Sequence, residues 1–281
     1  MNRVTPTAPD DTRDSTLEAL RRQIAGIERP AAQFGADGED NTSPLPWRFG
    51  CEEADAVLPP AGLAVAGLHE AAGDDHRDGP AASSFALALL RRLRHRDGRD
   101  TVLVCQSGKA EYRFGSLYGH GLADRGLDPD HILFVTIHHD RDVLWAVEEG
   151  LASGALAAVV GEVDTMTFAA SRRLSLAAQD TGTPALLLRA DGLGPASAAM
   201  TRWRVSTRPG APDALDRRAP GDPCWRLDLV RCRGGRPATL DLEWNRETGD
   251  FRLAAPLAGR PAAPRAQDPA EVIDLALRQA G

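Results

Sequence analysis

The residues best placed to bind a phosphate group form a loop between two glycines, Gly73 and Gly79. Loops of the type GxxxxGK[ST] hold phosphate on backbone N–H groups, while the lysine reaches the β- and γ-phosphates and the hydroxyl holds magnesium. Here Pro80 and Ala81 stand where the lysine and the hydroxyl residue belong. Pro80 also removes a donor N–H and fixes its own φ. The loop therefore keeps the position of a phosphate site without the side chains that bind ATP.

The charge of this loop also disfavours a polyphosphate. Asp74, Asp75 and Asp78 add negative charge, and like charges at about 4 Å cost on the order of 1–4 kcal/mol. His76 and Arg77 offset part of that charge, and an ordinary surface turn is the simpler interpretation. We expect no nucleotide cofactor at the degenerate phosphate-loop residues, which are Gly73, Arg77, Gly79, Pro80 and Ser83.

Two other groups of residues have the types found in metal or catalytic sites. His138 and His139 precede Asp140, but adjacent residues at a strand end point to opposite faces, and Asp140 suits the N-cap of the next helix. Glu162 and Asp164 follow a later apolar run, where a magnesium-ordering aspartate would lie, but no second carboxylate pairs with them at a recognisable spacing. We therefore expect no metal site and no catalytic residue.

The bulk composition bounds the class of protein. The chain has 281 residues, a net charge of −7 and four cysteines without a CxxC pair. Cys105 and Cys232 lie in apolar runs, where a buried free thiol in a reducing cytoplasm is the usual interpretation. No run of about 18 apolar residues occurs, and Met1–Asp14 lacks the order of a secretory signal. The sequence thus predicts a cytoplasmic protein without a membrane span.

Arginines are concentrated in two alternating segments near the C-terminal end of the core. In an acidic chain this makes a local basic patch, which could bind phosphates and bases of single-stranded DNA or an acidic partner protein. Arginines that merely solvate the outer face of a sheet are the alternative. The candidate contact residues are Arg202, Trp203, Arg204, Arg208, Arg226, Arg231, Arg233 and Arg236.

Between these features, short apolar runs alternate with helix-like stretches. The pattern is typical of βαβ units, and such uniformly apolar runs predict strands covered on both faces. After Thr201 the alternation of apolar and polar residues predicts antiparallel strands, with a hairpin about Asn245–Asp250. We therefore expect a three-layer α/β domain with a mostly parallel central sheet extended by antiparallel C-terminal strands. The predicted buried runs are Leu63–Ala72, Thr101–Gln106, Ile132–Ile137, Ala155–Val163 and Pro184–Arg189.

The chain divides into four parts: an N-terminal amphipathic helix (1–30), a linker (31–46), a core (47–254), and a linker with a short C-terminal helix (255–281). The C-terminal helix begins with Asp268, Pro269 and Glu271, which suit the N-cap, N1 and N3 positions. Helices this short need a surface to dock on. Their docking residues are Leu17, Leu20, Ile24 and Ile27 in the first helix and Val272, Ile273, Leu275 and Leu277 in the second.

About three quarters of the chain, roughly residues 47–254, resembles the ImuA family of RecA-like proteins. The resemblance is carried by the segments PPAGLAVAGLHEAAG and TVLVCQSGKAEYRFGSLYGHGL, by the degenerate loop, and by RWRVSTRPG and WRLDLVRCRGGRP. It implies a RecA-like fold and a role in DNA-damage-induced translesion synthesis. The implied partners are ImuB, an inactive Y-family-like polymerase, and through it an error-prone replicative-type polymerase subunit, with RecA and single-stranded DNA as further candidates.

RecA itself is an ATPase that forms filaments on single-stranded DNA, and this chain departs from it at the phosphate loop. The leading hypothesis is accordingly a non-catalytic adaptor that is not an enzyme. Two alternatives stay open: a RecA-fold ATPase that uses Arg77 in place of the lysine, and a stand-alone inhibitor of RecA or of cell division.

Overall fold

The computed structural model describes residues 46–93, 98–194, 196–210 and 221–254. The two terminal segments predicted to form docking helices, 1–30 and 255–281, lie outside these ranges. None of the helices within the described ranges is long and apolar enough to span a bilayer.

The described residues form nine strands and six α-helices, and their order largely follows the predicted alternation. The strands are β1 (Leu68–Gly73), β2 (Val102–Ser107), β3 (Ile132–Ile137), β4 (Ala158–Val163), β5 (Ala185–Arg189), β6 (Thr201–Arg208), β7 (Cys224–Cys232), β8 (Ala238–Asn245) and β9 (Asp250–Leu253). The helices are α1 (Glu52–Asp55), α2 (Gly79–Arg91), α3 (Gly108–Phe114), α4 (Gly119–Ala123), α5 (Asp140–Ala152) and α6 (Phe168–Thr181). A 3-10 turn at Pro129–His131 leads into β3.

All nine strands belong to one sheet, in the order β3-β2-β4-β5-β1-β6-β7-β8-β9. The strands from β3 to β6 are parallel, and β6 to β9 pair antiparallel. The hairpin of β8 and β9 closes at Asn245 and Asp250, as predicted. The predicted α/β class, with a mostly parallel sheet extended by antiparallel C-terminal strands, is confirmed.

An aromatic core fills one face of the sheet beneath α2. Phe85 of α2 packs edge-on against Trp203 of β6 with ring centroids 5.5 Å apart, and Trp225 and Phe251 lie within 6.2 Å of the same ring. Aromatic pairs at such distances add about 0.5–1.5 kcal/mol beyond the burial of their surface. The apolar residues of β6 to β9 therefore anchor the antiparallel extension to the parallel part of the sheet.

Helices α5 and α6 cover the opposite face, over β2, β4, β5 and β1. Gly161 of β4 permits this close packing, because a Cβ there would lie 2.6 Å from Cγ2 of Val147 in α5. Helix α6 is capped at its start by Thr167, whose side chain accepts a hydrogen bond from Ala170 N, and at its end by Gly182 with φ of +65°. The sheet thus lies between two helical layers, the three-layer arrangement that the sequence predicts.

Two expectations about individual elements are wrong. β3 lies at the edge of the sheet and is not covered on both faces, since Leu133 and Phe134 are 54% and 39% exposed. An apolar run looks the same in the sequence whether or not helices cover both faces of its strand. The first strand begins at Leu68 instead of Leu63. Helix α2 begins at Gly79, because Pro80 fits the first turn of a helix.

Candidate functional site: the occluded phosphate loop

The carboxyl ends of β1, β2, β4 and β5 meet at one edge of the sheet. In open α/β sheets, ligands bind in the crevice beyond these ends. Here the cleft is lined by Gly73 and Gly79 of the loop and by Lys109, Glu162 and Arg189 from the neighbouring strand ends. This edge of the sheet is therefore where a nucleotide would have to bind.

The loop after β1 uses its own backbone donors. The N–H of Asp74 donates to the carbonyl of Val205 in β6 over 2.9 Å. The N–H groups of Arg77 and Asp78 both donate to Asp75, to its side chain and its carbonyl respectively. The side chain of Asp78 accepts from Thr207 N over 2.9 Å. Donors that would cradle a phosphate are thus bonded within the loop, and the loop is tied to β6.

The start of α2 is covered by an aromatic ring. A Cβ at Gly79 would lie 3.1 Å from Cε2 of Phe114, which ends α3. The cavity that remains is about 20 Å³, room for about one water molecule. Sites for small molecules usually measure about 300–1,000 Å³. A nucleotide does not fit beside this loop in the described structure.

Two of the predicted phosphate-loop side chains are placed differently: Ser83 lines the cleft, whereas Arg77 is not among the residues that line it. Ser83 donates its hydroxyl to the carbonyl of Gly79 over 3.2 Å, one helical turn earlier. Arg77 is exposed, and no carboxylate among the described residues forms an ion pair with it. Lys109 is ion-paired with Asp164, which raises the pKa of the lysine above its usual value through a hydrogen bond and through its charge. The only lysine of the chain is therefore committed to a neighbouring carboxylate.

Glu162 and Arg189 both line the cleft, and burial shifts the pKa of each toward its neutral form. Burial raises the pKa of Glu162 to about 7, although Ser107 N donates to its carboxylate over 3.2 Å. Burial also lowers the pKa of Arg189, whose Nε has no hydrogen-bond partner among the described residues. No cluster of three or more histidine, cysteine, aspartate or glutamate side chains suited to a metal occurs in the described ranges.

The expected duty of Asp140 as an N-cap is wrong, since His139 occupies that position. The carboxylate of Asp140 instead accepts from the backbone N of Thr165 over 2.9 Å and from its hydroxyl over 3.3 Å. This contact joins the start of α5 to the loop after β4.

Within the predicted arginine surface, two residues are buried. Trp203 is 1% exposed in the aromatic core. Arg202 is 7% exposed, and its Nε donates to Glu70 of β1 over 3.0 Å. Trp225 is buried too, so neither tryptophan is available to stack on a base. The structure contradicts the expected contact role of Trp203, whereas the contact role of Arg202, which lines a groove beside α6 and β7, stays a prediction.

Other arginines of this surface already have acidic partners. Arg226 forms two hydrogen bonds of 2.9 Å with Asp241 across the β7–β8 pair, and Arg208 lies 3.7 Å from the same carboxylate. Arg204 lies 3.6 Å from Asp74 of the loop. The outer face of the antiparallel strands is therefore largely a ladder of compensated charges.

The remaining three arginines lie near the end of β7. Arg231 donates to the carbonyl of Ser197 over 2.8 Å. Arg231, Arg233 and Arg236 are exposed and form no ion pair with a described carboxylate. The uncompensated part of the predicted basic surface is thus confined to this end of β7.

Sequence reasoning missed the apolar surface around the β3 edge. Phe134 and Val135 are 39% and 42% exposed, and β3 pairs only with β2 among the described strands. Tyr112, Tyr118 and Trp145, on the helices and loops beside this edge, are exposed as well. We name these residues the β3 surface. A free strand edge flanked by large apolar side chains is typical of an interaction site.

The described residues thus form a three-layer α/β domain whose loop after β1 lacks the lysine of a phosphate-binding loop. No family model matches the chain. Among solved structures it is similar to SulA from Pseudomonas aeruginosa, with a TM-score of 0.35 and 23% identity, over 43% of this chain and 96% of that chain.

The chain is 33% identical to Protein ImuA from two strains of Caulobacter vibrioides. In both cases the match extends over 226 residues and covers 75% of this chain and 89% of the relative. The chain belongs to the ImuA family.

Proposed function

We propose that this chain is a non-catalytic adaptor of a DNA-damage-induced translesion synthesis complex. In this function it binds an ImuB-like inactive Y-family polymerase and, through it, an error-prone replicative-type polymerase subunit. Membership in the ImuA family supports the cellular role. RecA remains a further candidate partner, and the residues around the cleft perform no reaction.

The observation that carries the proposal is the occlusion of the phosphate loop. The backbone N–H groups of Asp74, Arg77 and Asp78 already donate hydrogen bonds to oxygen atoms of the protein. Phe114 covers the start of α2, and the cavity beside it measures about 20 Å³. A phosphate-transferring enzyme needs positioned donors and cations around the transferred group. The cavity beside the loop is too small for the transferred group, and Lys109 is paired with Asp164, so neither feature supports phosphate transfer here.

The β3 surface supports the adaptor function. An extended segment of a partner can add a strand to a free sheet edge, and neighbouring aromatic side chains then provide pockets for its side chains. Aromatic residues are enriched at interfaces because they bury a large area. This surface lies on the opposite edge of the sheet from β9, well separated from the ion-paired arginine strands.

Nucleotide binding tests the catalytic half of the proposal. The full chain is titrated with ATP and magnesium by calorimetry and assayed for phosphate release. We expect neither a binding isotherm below millimolar concentration nor turnover. The variant Arg77→Ala and its matched surface control Arg141→Ala should behave like the parent. Turnover that is lost in Arg77→Ala but kept in Arg141→Ala would establish an ATPase that uses Arg77.

Co-purification tests the adaptor half. The full chain is combined with an ImuB-like protein, with and without single-stranded DNA. We expect a complex in the absence of DNA, because the β3 surface is built for a protein contact. Retention of RecA or a division protein in place of the polymerase-like partner would identify a stand-alone inhibitor instead.

A further inference from the structure

A second apolar surface lies on the other side of the molecule, in a groove between α6 and the end of β7. We name it the α6–β7 groove. The groove has a volume of about 700 Å³ and is lined by Phe168 and Leu176 of α6 and by Val230 of β7. These side chains are 53%, 48% and 44% exposed. Three large, exposed apolar side chains in one groove are typical of an interaction site.

The rim of this groove is positively charged. Arg172, Arg231 and Arg233 line it and are exposed, and none forms an ion pair with a described carboxylate. This distinguishes them from Arg226 and Arg208, which share Asp241. The groove therefore suits an amphipathic helix that has an acidic face next to its apolar one.

We propose that residues 268–281 of the same chain occupy the α6–β7 groove. This segment combines the apolar residues Val272, Ile273, Leu275 and Leu277 with three acidic residues, Asp268, Glu271 and Asp274, and it has one basic residue, Arg278. In the predicted helix Glu271 and Asp274 lie three residues apart and share a face. Its apolar residues cover Phe168, Leu176 and Val230, and its carboxylates pair with the arginine rim.

The two predicted terminal helices differ in charge. The side chains of the N-terminal segment 15–29, with Arg21, Arg22 and Arg29 against Glu18 and Glu28, sum to +1, whereas those of residues 268–281 sum to −2, so the arginine rim attracts only the C-terminal segment. Both segments have the apolar residues to fill a groove. The C-terminal one matches its electrostatics as well.

The chain between the last described strand and the segment is long enough for this contact. Ala254 follows β9, about 10 Å across the sheet from β7. It bonds to Asp241, which pairs with Arg226, so Val230 lies four residues, about 13 Å, further along β7. Residues 255–267 can span up to about 40 Å when extended. The segment therefore reaches the groove of its own chain, and a partner that binds the segment must compete with the groove.

Thiol labelling of the full chain tests the contact. A Leu176→Cys variant places a thiol on the groove floor, and its reaction with a maleimide is followed by peptide mass spectrometry, which separates it from the native cysteines. We expect Leu275→Asp, added to this variant, to raise the labelling rate about tenfold by releasing the segment. A thiol at Arg173→Cys, on α6 but outside the groove, is the matched control and should label at an unchanged rate.

Charge reversal provides an independent test. In the Leu176→Cys chain, Arg172→Glu with Arg233→Glu should raise the labelling rate about as much as Leu275→Asp. Adding Glu271→Arg and Asp274→Arg should restore slow labelling. A rate that is insensitive to Leu275→Asp overturns the proposal, and slow labelling that disappears on dilution assigns the groove to a second copy of the chain.

Discussion

Glu162 lies at the end of β4, in a cleft that gives its charge little solvation. Its pKa of about 7 exceeds the ordinary value of 4.5. The folded state therefore binds more protons than the unfolded state between these pH values, so Glu162 makes the free energy of unfolding fall as pH rises from 5 to 7. We expect Glu162→Gln to stabilise the protein by about 1–3 kcal/mol at pH 8 and to change little at pH 5.

Urea unfolding at the two pH values measures this difference. The matched control is Glu247→Gln in the exposed β8–β9 turn, which should show no such pH dependence. An equal gain in stability at pH 5 and pH 8 would show that Glu162→Gln acts through packing and not through the ionisation of Glu162.

His69 acts in the opposite direction, because burial lowers its pKa to about 4 and its contribution to stability is lost as pH falls from 6.5 toward 4. His69 is present in both the parent and the Glu162→Gln variant, so its effect cancels when their stabilities are compared at the same pH.

Arg202 shows how burial changes the role of a residue type. Its Nε is 3.0 Å from Glu70, which is fully buried and also accepts from Ser197. Removing one partner of a buried ion pair leaves a charge without compensation, so we expect Arg202→Met to destabilise the fold by about 3–5 kcal/mol.

Replacing Glu70 by Gln in the same protein should recover much of that loss. Thermal and urea unfolding of the single and double variants measure the coupling. If Arg202→Met is as stable as the parent but binds a partner less well, Arg202 acts at an interface after all.

At the scale of elements, the edge of the sheet formed by β3 is where we expect a partner to bind. We expect Val135→Lys, in the centre of β3, to weaken binding of an ImuB-like partner at least tenfold. A lysine on an exposed edge opposes the addition of another strand. Stability should change by less than about 0.5 kcal/mol, because the side chain is already 42% exposed.

The other edge of the sheet provides the control. Leu253 of β9 is 44% exposed, so Leu253→Lys makes a matched change at an edge outside the β3 surface. Calorimetry or surface plasmon resonance with the purified partner compares the two variants. Equal binding by both, or an equal loss in both, would remove the β3 surface from the interface.

The elements also show how far sequence patterns reach. Alternation of apolar and polar residues predicted the antiparallel strands β6 to β9, and their buried residues Trp203, Trp225 and Leu242 follow the two-residue period of a half-buried sheet. The missing lysine and the acidic residues of the loop predict that no nucleotide binds there, and this stays a prediction. Phe114 as a cover for α2, and Asp241 as a partner of Arg226, depend on which elements become neighbours, and local spacing does not contain that information. For the same reason the sequence assigned β3 to the core.

On the scale of the whole molecule, charge limits what the arginine strands can bind. The chain has a net charge of −7. Asp241 neutralises Arg226 and approaches Arg208, while Arg246 and Arg252 lie near Asp222. Binding to single-stranded DNA requires cations that can replace the counterions of the phosphates. Arginines held by carboxylates supply fewer of these, which favours a protein partner or a solvated face over DNA for this surface.

We therefore expect the full chain alone to bind a single-stranded oligonucleotide with a Kd weaker than about 100 µM at physiological salt. Asp241→Asn should strengthen this binding, because it releases Arg226 and Arg208 while the amide preserves the shape of the side chain. The added affinity should fall as salt rises, since freed guanidinium groups act through counterion release. Fluorescence anisotropy over a salt series measures both proteins, with Asp180→Asn on the distant end of α6 as the control of equal charge. Micromolar binding by the parent chain that Asp241→Asn leaves unchanged would place a DNA site elsewhere on the molecule.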